Sequence, residues 1–314
     1  MTYSIVARDP ATGDLGVAVQ SKFLAVGAVV PWARAGVGAI ATQSFANVAY
    51  GPDGLALLAD GLDAQATMDR LVAPDELRDQ RQAGIVDAQG RAATHTGGDC
   101  FAWAGGRTGE GFAAQGNILA GATVVDGLAD TFLAGGRPFP ELLIACLAAA
   151  DAQGGDRRGR ESAALLVVRD GGGYGGGNDR WIDLRVDHHD DPIGELGRLL
   201  DWQRLYFERP EPADLVPIDE ATAGELRSIM ASVGAGPGGR FGDVYQPMSG
   251  AVDHEPELRP AVGEPRPLPA NWDAEWQRAL DAWMSVENLE ERAAAPGWID
   301  PKVLAILRAR RVAG

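Results

Sequence analysis

The chain has 314 residues, 46% of them hydrophobic, and its 28 lysines and arginines stand against 44 aspartates and glutamates for a formal charge of −16. Such a charge repels phosphate backbones and anionic bilayers, so neither nucleic acid nor a membrane is expected as a partner, and no apolar run reaches the roughly 18 residues of a spanning helix. Arg8 and Asp9 interrupt any leader-like stretch at the start, so a cytoplasmic location is expected, and Cys100 and Cys146 lie in surroundings too different for a disulfide framework.

In MTYSIVARDPATGDLGVAVQSK, Tyr3, Ile5 and Ala7 alternate with Thr2, Ser4 and Val6, which is the period of a strand. Pro10 and Gly13 supply a turn, and Leu15, Val17 and Val19 resume the alternation, predicting a hairpin that begins at residue 2. Further short strands are expected at GAVVPW, VGAIATQ, AGIVDAQGRAATH with a turn at Gln89-Gly90, and GFAAQGNIL. Helical periodicity runs from Gly54 to Ala73, broken near Gly61, and from Thr123 to Gln153, interrupted between Gly135 and Pro140. AALLVVR and WIDLRVD read as strands around DGGGYGGGND, and a helix is expected from Pro192 to Phe207. Strands and helices in separate blocks predict an α+β layered sandwich over residues 1–210. Residues 211–267 are rich in Pro and Gly and read as a linker region. A small helical module is expected over 268–314, with Trp272, Trp276 and Trp283 on one helical face and Asp300-Pro301 opening a last helix.

Thr2 is the first residue with chemical interest. Removal of Met1, which a small second side chain permits, would place a hydroxyl and a free α-amine on one residue. The amine, with an ordinary pKa of roughly 7.7–8.0, could take the hydroxyl proton as the side chain attacks a carbonyl, so no histidine is required. A chain can equally begin Met-Thr as an ordinary structural strand.

The opening run through GPDGLALL, then WAGGRTGEGFAAQGNILAG and GGDRRGRESAALLVVR, resembles the bacterial family known as domain of unknown function 1028, which is grouped with the Ntn-hydrolases. The resemblance covers residues 1–210 and implies a four-layer αββα sandwich, an N-terminal strand in a central sheet, and an N-terminal nucleophile that hydrolyses a small amide or peptide. By that resemblance Thr2 stands at the nucleophile position, and Lys22, just after the second strand, is either a tuner of the amine or a surface lysine. Gln20 stands where proteasome-like enzymes carry an aspartate, so an ionic orienter is missing. Ser4 shares the face of Thr2 and could support it. Sandwiches of this group often pack through outer helices, so a homo-oligomer is expected.

Gln43, Asn47 and Asn117 fall at strand ends, where their amides could meet an oxyanion or a substrate carboxylate, or tie loops to backbone. Without catalysis the same three residues would line the pocket of a small-molecule binding protein. In GGDRRGRESAALL the arginine forks, Arg160 among them, could grip a carboxylate substrate, or Asp156 and Arg160 could pair with each other and brace the turn. DHHDD at 187–191 does not converge on one ion, because neighbours on a strand point to opposite faces, and DGGGYGGGND lacks the ending of a phosphate loop; no metal and no cofactor are expected. Ser162 lacks a nucleophile elbow, and His95 with Cys100 makes only a weak thiol-hydrolase pair. At the other end, NWDAEWQRALDAWMSVENLEER followed by GWIDPKVLAILR resembles a peptidoglycan-binding-like module, although its aromatic stripe is also what a three-helix core needs. It reads as an accessory or oligomerisation module.

Overall fold

The computed structural model describes residues 2–239 and 261–312, and the chain divides into units Met1–Leu200 and Asp201–Gly314. Strands β1 (Thr2–Arg8) and β2 (Leu15–Ser21) form the expected hairpin, in register from Thr2 opposite Ser21 to Arg8 opposite Leu15. Its turn is held by the Asp9 carboxylate, which accepts from the Ala11 N–H and the Thr12 hydroxyl. There follow β3 (Pro31–Arg34), β4 (Gly38–Ser44), helices α1 (Tyr50–Ala59) and α2 (Ala64–Val72), then β5 (Arg81–Asp87), β6 (Ala92–Thr96), β7 (Gly105–Gly109) and β8 (Phe112–Asn117). Helices α3 (Ala122–Ala134) and α4 (Phe139–Ala152) precede β9 (Ser162–Val168), β10 (Arg180–Val186) and helix α5 (Pro192–Phe207).

All strand pairs of the first unit are antiparallel, in a six-stranded sheet ordered β10-β9-β2-β1-β8-β7 and a four-stranded sheet ordered β3-β4-β5-β6. The two-residue period decides what each face meets. Tyr3, Ile5 and Ala7 pack with Val124 and Leu128 of α3 and with Leu143 and Leu147 of α4. Val6, Val17 and Val19, on the opposite face, pack with Ala39, Ala41 and Val86 of the second sheet. On the far side of that sheet, Ile40 and Ile85 meet Tyr50 and Leu58 of α1 and Met68 and Leu71 of α2. Mixed α/β architecture built on antiparallel sheets is therefore the fold of this unit. Strand β7, GGRTG, carries no apolar alternation and is an edge strand recruited by pairing with β8. GAVVPW, expected as a strand, is a 3-10 turn over Val26–Ala28 before β3 begins at Pro31.

The second unit is helical. It holds β11 (Val216–Pro217), α6 (Glu220–Ser232), α7 (Ala274–Val286), β12 (Trp298–Ile299) and α8 (Pro301–Val312) around a core that includes Leu226, Ile229, Trp272, Trp283 and Leu307. Each helix starts on an aspartate whose carboxylate accepts backbone N–H groups: Asp219 from Thr222, Asp273 from Glu275 and Trp276, Asp300 from Lys302. Asp300 also pairs with buried Arg292 at 3.1 Å. Helix α6 lies inside the segment read as a linker, where Ala223, Leu226, Ile229 and Met230 give it one apolar face; residues 240–260 of that segment lie outside the described residues. Trp272 is buried but precedes α7, so the three tryptophans do not share one helix. Among the described residues no helix is long and apolar enough to cross a membrane.

Candidate functional site

One end of the seam between the sheets changes chemistry. Along β1 the seam-facing residues run Val6, Ser4, Thr2; along β8, Ala113, Gln115, Asn117; along β4, Ala41 then Gln43; along β5, Val86, Gly84, Gln82. Apolar side chains give way to amides and hydroxyls at the same end of all four strands. Ser4, Gln43, Gln82, Gln115 and Asn117 are all buried there. A buried amide is tolerated only when its donors and acceptors are matched, and these five match one another. The Ser4 hydroxyl donates to Gln43 Oε1 at 2.7 Å and accepts from Gln115 Nε2 at 2.7 Å. Gln82 Oε1 accepts from Gln43 Nε2 at 2.8 Å and from Asn117 Nδ2 at 2.9 Å. Gln82 Nε2 in turn donates to Gly116 O at 2.7 Å and to the Thr96 hydroxyl at 3.0 Å. Gly84 makes room for the cluster, since a Cβ there would stand 2.1 Å from Gln115 Oε1.

Thr2 sits at the lip of this network. It is paired in register with Ser21 on one side and Asn117 on the other, and Gln43 Nε2 reaches its carbonyl at 3.4 Å. Its hydroxyl is 3.0 Å from that of Ser21. Two strands ending here leave in left-handed backbone, at Ser44 with φ 69° and at Ile118 with φ 50°. For a β-branched residue this conformation costs about 1–2 kcal/mol. Ile118 is fixed by hydrogen bonds from its N–H to Phe101 O at 2.8 Å and from Arg157 N to its own carbonyl at 3.4 Å.

Of the residues singled out from the sequence, Thr2, Ser4, Gln43 and Asn117 come together at this end. Gln43 belongs to the scaffold, because its amide hydrogens go to Gln82, Thr2 O and Gln115 O. Asn47 is not part of the group. Beyond the turn at Ser44 its Nδ2 donates to Asp75 Oδ2 at 3.1 Å, in a cluster where Tyr50 Oη donates to the same oxygen at 2.9 Å and Arg81 Nε at 3.0 Å. The Arg81 hydrogen bond, aided by Asn47, holds the Asp75 carboxyl well below the usual range, while burial and Asp75 raise the Tyr50 phenol. Asn47, Tyr50 and Asp75 line a cleft of about 700 Å³ beside α1.

Lys22 does not reach toward Thr2: its ammonium is bound to Glu161 Oε2 at 2.6 Å and to Arg160 O at 3.0 Å. That ion pair, with a contact from His188, lowers the Glu161 carboxyl. Asp156 and Arg160 do not pair with each other. Asp156 is buried and braces the backbone, accepting from Lys22 N at 2.9 Å and Arg158 N at 2.8 Å, whereas Arg160 is matched to Asp151 with Nε at 3.0 Å from Oδ1. His95 and Cys100 bond separately, to Arg78 O and Arg81 O, so no thiol pair forms. Burial pushes the Cys146 thiol up to about 12. Among the described residues no group of three His, Cys, Asp or Glu could hold a metal ion. Sequence reasoning missed Ser21, Gln82 and Gln115. The available signal was a polar residue at the seam parity of a strand whose other seam residues are apolar.

Residues 2–196 match the model described as "Family of unknown function (DUF1028)", and residues 265–307 match one described as "Putative peptidoglycan binding domain". No curated protein matches the chain. A crystal structure of a protein from Silicibacter pomeroyi, described under the same family model, is similar at 31% identity and a TM-score of 0.59, over 65% of this chain and 89% of that one. With the matched segment spanning the whole sheet-bearing unit up to α5, the chain belongs to the DUF1028 family.

Proposed function

We propose that this protein is an N-terminal-nucleophile hydrolase of a small amide or peptide bond, with Thr2 as nucleophile once the chain before it is removed. The observation that carries this is the placement of Thr2: first residue of a strand inside the six-stranded sheet, hydroxyl to hydroxyl with Ser21, beside the Asn117 amide at the polar end of the seam. The succession of helices, sheet, sheet and helices around that seam supports reading the unit as a four-layer αββα sandwich of the Ntn-hydrolase kind.

The reaction requires no cofactor. Thr2 Oγ1 attacks the carbonyl carbon while its proton passes to the α-amine, whose ordinary pKa of roughly 7.7–8.0 suits a base near neutrality. The carbonyl electrons move to oxygen, and Asn117, which gives one of two Nδ2 hydrogens to Gln82, offers the second to that oxyanion. Collapse breaks the C–N bond and returns the proton to the leaving amine. Water then cleaves the threonyl ester with the same amine as base. In this scheme Ser21 orients the Thr2 hydroxyl. Lys22 has no part, being held by Glu161.

That commitment of Lys22 also favours a second reading, a small-molecule binding protein that uses the same polar end and carries out no chemistry. Intact mass of the native protein with and without a β-lactone probe separates the two. A chain beginning at Thr2 that gains one adduct on residue 2, and a Thr2→Ala variant that gains none, is the expected result; a chain retaining Met1 and taking no adduct would overturn the hydrolase.

A further inference from the structure

Three exposed phenylalanines are tied, two along the chain and one by a hydrogen bond, to the strand ends near Thr2. Phe23, 54% exposed, lies two residues past Ser21; Phe45, 61% exposed, follows Ser44 at the end of β4; Phe101, 73% exposed, offers its carbonyl to Ile118 N, the residue after Asn117. Phe112 and Phe139, by contrast, are buried in the core. The Phe45 ring is held by a cation, and the backbones that carry the other two are fixed by hydrogen bonds. The Arg81 guanidinium lies 5.2 Å from the Phe45 ring centre and donates to Phe45 O at 2.5 Å, and the Ser162 hydroxyl donates to Phe23 O. Large apolar groups left in water on the segments next to a polar site mark a place where apolar ligand surface is covered.

A cation stands at the same rim. Arg157 donates from its backbone to Ile118 O and from Nη1 to Ala102 O at 3.3 Å, which sets its guanidinium beside Phe101. Arg158 is matched to Asp156 and Arg160 to Asp151, whereas the bond from Arg157 goes to a neutral carbonyl and leaves its charge for a ligand. On a chain of charge −16, a guanidinium placed there selects a carboxylate.

We propose that the site takes an N-acylated amino acid with an aromatic or large apolar side chain and a free carboxylate. This rests on Thr2 as the reacting group: the rings cover the side chain, Arg157 binds the carboxylate, and the acyl carbonyl lies toward the Thr2 hydroxyl. Hydrolysis would release the amino acid and leave the acyl group on Thr2 for water to remove.

Calorimetric titration of the Thr2→Ala protein tests the recognition without turnover, using N-acetyl-L-phenylalanine, its carboxamide and N-acetylglycine. The acid is expected to bind about tenfold more tightly than the carboxamide, as for loss of one charged hydrogen bond, and about tenfold more tightly than the glycine compound. Arg157→Gln should erase the first difference and Phe101→Ser reduce the second. Equal affinity for acid and carboxamide, or no response to Arg157→Gln, overturns the proposal. So does a change from dimer to monomer in Phe45→Ser and Phe101→Ser with ligand affinity unmoved, which would make the rings a contact between copies of the chain. Release of phenylalanine by the wild-type protein is scored separately: selective binding without release keeps the selectivity and overturns the role of Thr2.

Discussion

The seam between the two sheets is built from the same strands along its whole length, yet its ends are made of different material. At one end Val6, Val17, Ala39, Ala113 and Val86 pack as hydrocarbon. At the other, Ser4, Gln43, Gln82, Gln115 and Asn117 fill the space with hydrogen bonds. Hydrocarbon packing carries little direction and survives small shifts, whereas an amide network is satisfied in one geometry and penalised in others. Hydrophobic groups would stabilise both ends at least as well. The amide end therefore contributes orientation, and what it orients is the start of β1, where Gln43 reaches the Thr2 carbonyl and Asn117 pairs with Thr2.

Removing the hub of the polar end should be the most damaging single change. Gln82→Leu takes the partner of the Asn117 amide and one donor from the Gly116 carbonyl, and leaves Gln43 Nε2 only its longer contacts to Thr2 O and Gln115 O, for a loss of about 3–5 kcal/mol if each costs about 1–3 kcal/mol and some relax. Urea unfolding measures it, and a loss under about 1 kcal/mol would mean the network orients nothing. Leu15→Ala, at the apolar end, should cost about 3 kcal/mol through its cavity. Lactone labelling of Thr2 in the folded protein should survive Leu15→Ala and be lost in Gln82→Leu. Equal labelling in the two variants would erase the distinction between the ends.

A smaller effect comes from the ion pair behind the polar end. Asp75 has its carboxyl lowered chiefly by Arg81, and Arg81 in turn holds Phe45 O. A depressed carboxyl adds stability above its unfolded pKa, about 3.9, and that contribution is lost as pH falls below it toward the folded value. Asp75→Asn should thus cost about 2 kcal/mol at pH 7. The gap from wild type should narrow below about pH 4. A gap constant from pH 7 to pH 3 would show that the pair carries no charge linkage.

The hairpin from Thr2 to Ser21 was legible because period-two alternation, a Pro/Gly turn and a second alternating run agree. Helix α6 was hidden by its surroundings: the Pro- and Gly-rich stretches on both sides outweighed the helical spacing of Ala223, Leu226, Ile229 and Met230. The polar end was half visible. Gln43 and Asn117 carry the strand-end signal of site amides, but Asn47 does not join them, because Ser44, at φ 69°, turns the chain toward Asp75. Gln82 and Gln115 have the parity of the seam, yet parity identifies a polar residue as buried only when both faces of its strand are known to be covered. That knowledge comes from the second sheet, which local periodicity does not show.

Ser21→Ala should be the mildest change to the fold and the most informative about chemistry. Ser21 is buried, and its hydroxyl lies 3.0 Å from that of Thr2. The substitution removes one hydroxyl oxygen and adds no atom, so stability should fall by about 1 kcal/mol, the usual net worth of a neutral hydrogen bond. If Ser21 orients Thr2 Oγ1, labelling by the lactone should slow by about tenfold, as for loss of about 1.4 kcal/mol of transition-state positioning. The pH at which labelling is half-maximal should not move, because the α-amine remains the base. Ser21→Thr, which restores a hydroxyl on the same strand position, should recover part of the rate. A shifted pH midpoint in Ser21→Ala would instead assign the proton acceptor to the Ser21 side of the site, and an unchanged rate would leave the Thr2 to Ser21 contact as packing between two strand ends.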